Sequence, residues 1–230
     1  MNVGKSTLNL GKMLFTGKEV AKLRKTHALI RKEVEKKLQG FRKLWEKGSE
    51  EDLFSELAFC ILTPQSKAEL CWNAVKVLRE SGVLFDGEPR DIADKLKGVR
   101  FRRRKALYIV EARSLFKCDG VLSLRSVLNQ FPDVFTTREW LVKKVKGMGY
   151  KEASHFLRNI GKGENLAILD RHVLRSMIGF KIIDEIPNSI SKRCYLLLEE
   201  RLRRFSSCIA IPLAHLDFVF WFEKTGRIFK

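Results

Sequence analysis

A chain of 230 residues can form one large domain or two small lobes packed on a shared core. Hydrophobic residues make up 45% and charged residues 31%, a soluble globular profile, and 45 Lys plus Arg against 27 Asp plus Glu leave a formal net charge of +18. Such an excess calls for a polyanion, because each phosphate contact releases condensed counterions, but by itself it does not separate nucleic acid from an acidic membrane or a ribosome. No apolar run reaches the length of a membrane span, and the N-terminus lacks the apolar core of a signal peptide, so no membrane partner is expected.

The five cysteines (Cys60, Cys71, Cys118, Cys194 and Cys208) are scattered without paired spacing, which fits reduced thiols in a cytoplasm. With no C-x-x-C and no ligand pattern among the four histidines, the expectation is no structural zinc, no iron–sulfur cluster and no other cofactor.

Residues 1–15 carry little pattern and read as a loose extension. Gly4-Lys5-Ser6-Thr7 imitates the end of a phosphate-binding loop, but that loop needs an earlier glycine four residues before the Gly-Lys pair, after a strand, and only three residues precede Gly4. No nucleotide cofactor is expected. Val20, Leu23, Ile30, Val34, Leu38, Phe41 and Leu44 then recur near multiples of 3.6, the stripe of an amphipathic helix. Ser49 with Asp52, Ser66 with Glu69, and Thr136 with Glu139 have capping-box spacing. Further helices are predicted over about 50–62, 67–81, 102–116, 137–145, 150–160, 171–178, 191–205 and 212–224, with Gly161 placed as a C-terminal glycine. Ile182-Ile183 and similar strings are too isolated for a sheet. The fold is expected to be all-α and two-lobed, with the turn at 146–149 and Asp170 on one face of the cleft between the lobes.

The chemistry concentrates in that turn. Val145-Lys146-Gly147-Met148-Gly149-Tyr150-Lys151 places two glycines ahead of a helix whose first amides are free for a phosphate. Gly147 and Gly149 allow close approach of a sugar-phosphate chain, Met148 anchors the turn in the core, and Lys146 adds a phosphate-facing charge. An ordinary helix–helix connection would use the same Gly-x-Gly; the helix on each side and the net charge favour a DNA-binding hairpin. Lys151 falls on the first helical turn, where the dipole disfavours a cation and so helps an amine that must be neutral to attack carbon. By default such a lysine is merely solvated. Asp170, 19 residues on in Leu169-Asp170-Arg171-His172, reads as a plain N-cap. A cap is also rigid and partly buried, which suits a carboxylate that stabilises an oxocarbenium-like sugar. Lys151 and Asp170 together, around this turn, are the layout of a glycosylase with lyase activity.

These residues resemble the helix-hairpin-helix DNA glycosylase superfamily, and within it the compact archaeal-type 8-oxoguanine DNA glycosylases that lack an extra β-domain. The likeness rests on Gly147-Met148-Gly149-Tyr150-Lys151-Glu152-Ala153-Ser154-His155-Phe156-Leu157-Arg158-Asn159, on Leu169-Asp170-Arg171-His172, on Phe59-Cys60-Ile61-Leu62-Thr63, on Arg103-Arg104-Lys105-Ala106, and on the tail from Leu216-Asp217-Phe218 to Lys230. It runs from about residue 20 to the C-terminus. It implies one glycosylase domain over residues 16–230, with the hairpin at about 137–160, acting as a monomer on damaged double-stranded DNA.

The resemblance also implies a mechanism. The damaged nucleotide is flipped out of the duplex, Lys151 attacks C1′ and displaces the base, and the resulting Schiff base undergoes β-elimination that nicks the strand. Asp170 stabilises the developing cation. Phe101 and Trp221 match positions that sandwich the base, although core packing is the commoner fate of both residue types, and Lys230 matches a terminal residue that helps read the oxidised base. His155 lies one turn after Lys151 on the same face and either touches the pocket or packs. Arg102, Arg103, Arg104 and Lys105 read first as a solvated face and second as a phosphate-binding edge. One departure stands out: after Leu-Thr the family usually has Ala-Asn, and this chain has Pro64-Gln65. Gln65 is more like the glutamine with which endonuclease III fills the gap left by the flipped base. Two alternatives stay open, an oxidised-pyrimidine glycosylase/lyase of endonuclease III type and a helix-hairpin-helix module that binds DNA without cutting it.

Overall fold

The computed structural model describes residues 17–229. The N-terminal string Gly4-Lys5-Ser6-Thr7 and Lys230 lie outside the described residues, as does the whole of the expected extension over residues 1–15.

The apolar stripe predicted from residue 20 onward becomes α1 (Gly17–Lys47), whose Val20, Leu23, Ile30, Val34, Leu38 and Phe41 are all buried. Next come α2 (Glu50–Leu62) and α3 (Ala68–Glu80), then the short α4 (Val83–Asp86) and α5 (Pro89–Lys95), then α6 (Arg102–Leu115). A hairpin of two-residue strands, β1 (Lys117–Cys118) and β2 (Val121–Leu122), leads to α7 (Leu124–Leu128). The remainder is α8 (Val134–Lys144), α9 (Tyr150–Asn159), α10 (Arg171–Gly179), α11 (Lys192–Ile209) and α12 (Leu213–Thr225). The described residues are all-α apart from that small hairpin. No single helix among the described residues is long and apolar enough to cross a membrane.

Two apolar cores build two lobes. The first gathers Leu53, Phe54 and Leu57 of α2 with Val75 and Leu78 of α3, Ile109 of α6 and Phe156 of α9. The second gathers the α1 stripe with Leu174 and Met177 of α10, Leu202 and Phe205 of α11, and Leu216 and Val219 of α12. Every residue of α2 from Leu53 to Leu62 is buried, as expected of a helix walled in on all sides. Each such Leu or Phe contributes about 1.5–3 kcal/mol on leaving water, more than any one cap, so the lobes are held by packing.

Helix α9 joins the two. Its Asn159 donates to Glu56 at 3.0 Å, and its Arg158 guanidinium lies 5.3 Å from the Phe41 ring centre and 4.3 Å from that of Phe218. The helix ends as foreseen at Gly161, with the Gly161 amide on the Arg158 carbonyl (2.9 Å) and the Lys162 amide on the Leu157 carbonyl (2.8 Å), the paired bonds of a Schellman stop.

The local expectations divide. The Ser49–Asp52 capping box forms, at 3.0 and 2.8 Å. The other two do not. Lys67 is the N-cap of α3, because the Ser66 hydroxyl is taken by the Arg100 amide and by Lys105. Helix α8 starts earlier, capped by Asp133, whose carboxylate accepts from the Thr136 amide at 2.8 Å; this leaves Glu139 to accept from Tyr150 and Lys192. Helices α4, α5 and α7 are too short to show a 3.6 period, and the β-hairpin was not foreseen. Its signal was present in Asp119-Gly120, whose φ values of 50° and 80° are those of a two-residue type I′ turn.

Candidate active site

The hairpin is α8, the turn 145–149 and α9. Met148 is buried as expected and anchors the turn. Gly147 has φ +79°, so the backbone conformation favours glycine, and a Cβ there would have to displace the ring of Tyr108 from α6. Among the described residues the Gly147, Tyr150 and Lys151 amides have no acceptor, whereas the Gly149 amide donates to Glu152 at 3.1 Å. Lys146 reaches the outer surface and pairs with Glu111 at 3.0 Å, both side chains being largely exposed.

Lys151 is the second residue of α9 and turns the other way, into a cleft between the lobes. Its Nζ lies 2.9 Å from Glu152 Oε1 and 3.5 Å from Thr63 Oγ1. Asp170 caps α10, one carboxylate oxygen accepting from the His172 and Val173 amides at 2.8 Å each. The two residues line one cleft of about 1470 Å³ together with Gln65, His155, Asp217 and Trp221. The Trp221 ring stands edge-on to that of His172, centres 5.1 Å apart. His155 both packs and touches the cleft: it is buried, with its ring 5.5 Å from that of Phe59.

The other expected residues fall elsewhere. Phe101 is 55% exposed, does not line the cleft, and lies under the Arg100 guanidinium at 5.4 Å. Gly147, Gly149 and Lys146 sit on the hairpin turn outside the cleft lining. The structure thus joins Gln65, Lys151, Asp170 and Trp221, and keeps the phosphate-binding candidates on a separate, adjacent surface.

The basic run 102–105 is not one edge. Arg102, Arg103 and Arg104 are exposed, but Lys105 is only 4% exposed. Its ammonium donates to the carbonyls of Leu62 and Pro64 at 2.7 Å each and to Ser66 Oγ at 3.1 Å. Burial pushes its pKa down, with the charge of Lys151 acting the same way and Cys71 opposing. A helical period shows why: Lys105 heads the buried series Ile109, Ala112, Phe116.

Three more groups escaped the sequence reading. Thr63 and Glu152 flank the Lys151 amine. Asp217 faces Arg158 at 3.2 Å; burial pushes its carboxyl up, Asp170 adds to this, and Arg158 pulls against it. Behind the site, Arg138 makes a bidentate pair with Glu199, and Tyr195 donates to the Ala167 carbonyl at 2.6 Å. A fully buried arginine has no one-dimensional signal unless its partner, here 61 residues away, is known.

The chain is similar to known proteins both in sequence and in fold. The family model described as 8-oxoguanine DNA glycosylase matches residues 34–211. A protein of Fusobacterium nucleatum named 8-oxoguanine DNA glycosylase/AP lyase is 43% identical over 194 residues, 84% of this chain and 89% of that one. The namesake from Methanocaldococcus jannaschii is 40% identical over 200 residues, 86% and 91% of the two chains. Among solved structures, the M. jannaschii glycosylase/lyase in complex with a 15mer DNA containing 8-oxoguanine superposes with a TM-score of 0.83 at 35% identity, covering 93% of this chain and all of that one. The 8-oxoguanine DNA glycosylase of Thermotoga maritima gives 0.82 at 37% identity, covering 93% and 99%. By sequence and by fold, this chain belongs to the 8-oxoguanine DNA glycosylase family.

Proposed function

We propose that this protein is a bifunctional DNA glycosylase/AP lyase that removes 8-oxoguanine from damaged duplex DNA, working as a monomer through a single glycosylase domain over residues 16–230. The observation that carries the reading is the placement of Lys151 and Asp170 in one cleft, at the start of the helix that closes the hairpin and at the cap of the next. The hairpin turn, Gly147 and Gly149 with Lys146, holds the phosphate backbone, while the flipped nucleotide enters the cleft.

Deprotonated Lys151 Nζ attacks C1′, and the glycosidic bond breaks with its electron pair leaving on the base. Ring opening gives a protonated Schiff base between Nζ and C1′. Loss of a C2′ proton then expels the 3′ phosphate, and hydrolysis of the imine frees the lysine. Asp170, its backbone-bonded carboxylate fixed at the head of α10, faces the positive charge that builds on the sugar. Thr63 and Glu152 orient the amine. Trp221 and Phe101 are the base-stacking candidates, Lys230 is the candidate for reading the oxidised base, and Gln65 fills the gap left in the duplex.

The test is borohydride trapping on duplexes carrying 8-oxoguanine, thymine glycol or an abasic site, with wild type and Lys151→Gln. An adduct on 8-oxoguanine that the variant loses while keeping DNA affinity is the expected result. Adducts on thymine glycol alone would move the substrate to oxidised pyrimidines. No adduct on any duplex would leave a DNA-binding module.

A further inference from the structure

The segment that carries Thr63 and Gln65 into the cleft, residues 62–66 from the end of α2 toward α3, is a tight turn closed by the Ser66 amide on the Thr63 carbonyl at 3.0 Å. Gln65 adopts φ +56° and is exposed at its tip. Across from it, Phe101 adopts φ +58° at the entrance to α6. Left-handed backbone is uncommon for a glutamine and rare for a bulky residue such as phenylalanine, and it persists only where surrounding contacts enforce it. Two such residues, both facing the DNA in the proposed reading, therefore need a common anchor.

The anchor is at hand. Lys105 stands on the first turn of α6, its own amide on the Phe101 carbonyl at 3.0 Å. Its ammonium reaches under the neighbouring turn to the Leu62 carbonyl, the Pro64 carbonyl and the Ser66 hydroxyl. That hydroxyl in turn accepts from the Arg100 amide at 3.1 Å. All three ammonium protons have acceptors on one five-residue turn, so the side chain occupies the place of a bound cation coordinated by backbone oxygens. A flexible loop would have to order on DNA binding at an entropic cost; this one is ordered beforehand.

We propose that Lys105 is a positioning residue for DNA engagement: by clamping the 62–66 turn to the start of α6, it sets where Gln65 meets the duplex. The inference rests on the gap-filling reading of Gln65. It makes Lys105 act through Gln65 and not on the reacting atoms, and this separates it from a lysine that merely supports the fold.

The experiment is a double-mutant cycle on the single-turnover rate of 8-oxoguanine excision from a duplex with cytosine opposite, using Lys105→Met, Gln65→Ala and the pair. Each single change should slow excision about three- to tenfold, the worth of one good polar contact, and the pair should be no slower than the slower single. Hydrogen exchange at the Ser66 and Arg100 amides should rise in Lys105→Met while that of α2 and α3 stays unchanged. Ser66→Ala, which removes one acceptor of the clamp and leaves the ammonium its two carbonyl partners, should show the same non-additivity with Gln65→Ala and serves if Lys105→Met folds poorly. Multiplicative losses, or full-rate excision by both Lys105→Met and Ser66→Ala, would overturn the inference alone. Full-rate excision by Gln65→Ala would remove the gap-filling role and the inference with it. Absence of excision by the wild type would instead overturn the 8-oxoguanine reading on which both depend.

Discussion

Arg138 of α8 and Glu199 of α11 form a bidentate pair at 2.7 and 2.9 Å, with side chains only 1% and 3% exposed. The pair links the parts that the proposed chemistry must hold in register. Arg138 also donates to Ser154 of α9, the helix of Lys151, at 3.1 Å, and Glu199 accepts from the Ala167 amide, three residues before Asp170, at 2.8 Å. The guanidinium lies 5.5 and 5.7 Å from the ring centres of Tyr150 and Tyr195.

A buried pair of this kind costs little to exchange whole and much to break in half. Arg138→Met leaves the buried Glu199 carboxylate only the Ala167 amide and the more distant Arg203 guanidinium at 3.9 Å and is expected to lose about 3 kcal/mol, read from urea unfolding, whereas Arg138→Met with Glu199→Met should lie within about 1–2 kcal/mol of wild type. A single variant as stable as the double would mean that the carboxylate finds water or a proton in the folded state.

Two glycines with positive φ are predicted to differ in what alanine would do. At Gly161 (φ +75°) a new Cβ meets the Arg42 backbone at 2.6–2.7 Å and the Phe41 carbonyl at 2.8 Å, so α9 and α1 must separate. At Gly147 (φ +79°) it meets the Tyr108 ring, half-buried at the edge of the first core, which can swing aside. Both variants bear left-handed strain of about 1–2 kcal/mol. Gly161→Ala should be the less stable by a further 1 kcal/mol or so, since backbone cannot repack as a side chain can. Gly147→Ala should show the larger loss of DNA affinity. Thermal melts and a binding titration read the two orders, and a reversal of either would misplace the glycines' roles.

The contrast explains what could be read in one dimension. The helices that position the site, α1 to α3, α6 and α8 to α12, each carry a full apolar stripe or a cap, and Lys151 and Asp170 were legible because turn, helix start and cap are local patterns. The helices α4, α5 and α7 are shorter than two periods. Lys105 was misread because a run of four cations looks solvated unless the burial period is counted through it. Ser66 and Thr136 carried capping spacing, but a tertiary partner claimed Ser66 and an earlier aspartate claimed the start of α8. Arg138 and Glu199 are legible only as a pair in space.

Lys146 offers a test of the hairpin's outer face. Its pair with Glu111 joins side chains 66% and 44% exposed, and such pairs are worth about 0–1 kcal/mol. Lys146→Gln should therefore leave the melting temperature near that of wild type. On duplex DNA the log–log slope of affinity against salt should shrink by about 0.9, the share of one phosphate contact. An unchanged slope would take Lys146 off the phosphate backbone.

The last prediction concerns acid stability in the second lobe. His27 of α1 and His215 of α12 share a hydrogen bond of 3.0 Å between Nε2 and Nδ1, which needs one nitrogen to donate and the other to accept. Burial lowers the pKa of both below the ordinary 6.5; Arg31 deepens the shift at His27, the charge of His27 deepens that at His215, and Glu35 opposes both. A group that holds its proton less well folded than unfolded takes one up on unfolding. The stability it confers is thus complete above pH 6.5 and is lost as pH falls through the lowered folded values. The expected outcome is a fall in unfolding free energy from pH 7 to pH 5, shallower in His215→Phe by about one proton, or roughly 1.4 kcal/mol per pH unit at its steepest. Urea midpoints at pH 5, 6, 7 and 8 measure it. Parallel curves for the two proteins would show that His215 takes up its proton alike in the folded and unfolded chain, and that the acid sensitivity arises elsewhere.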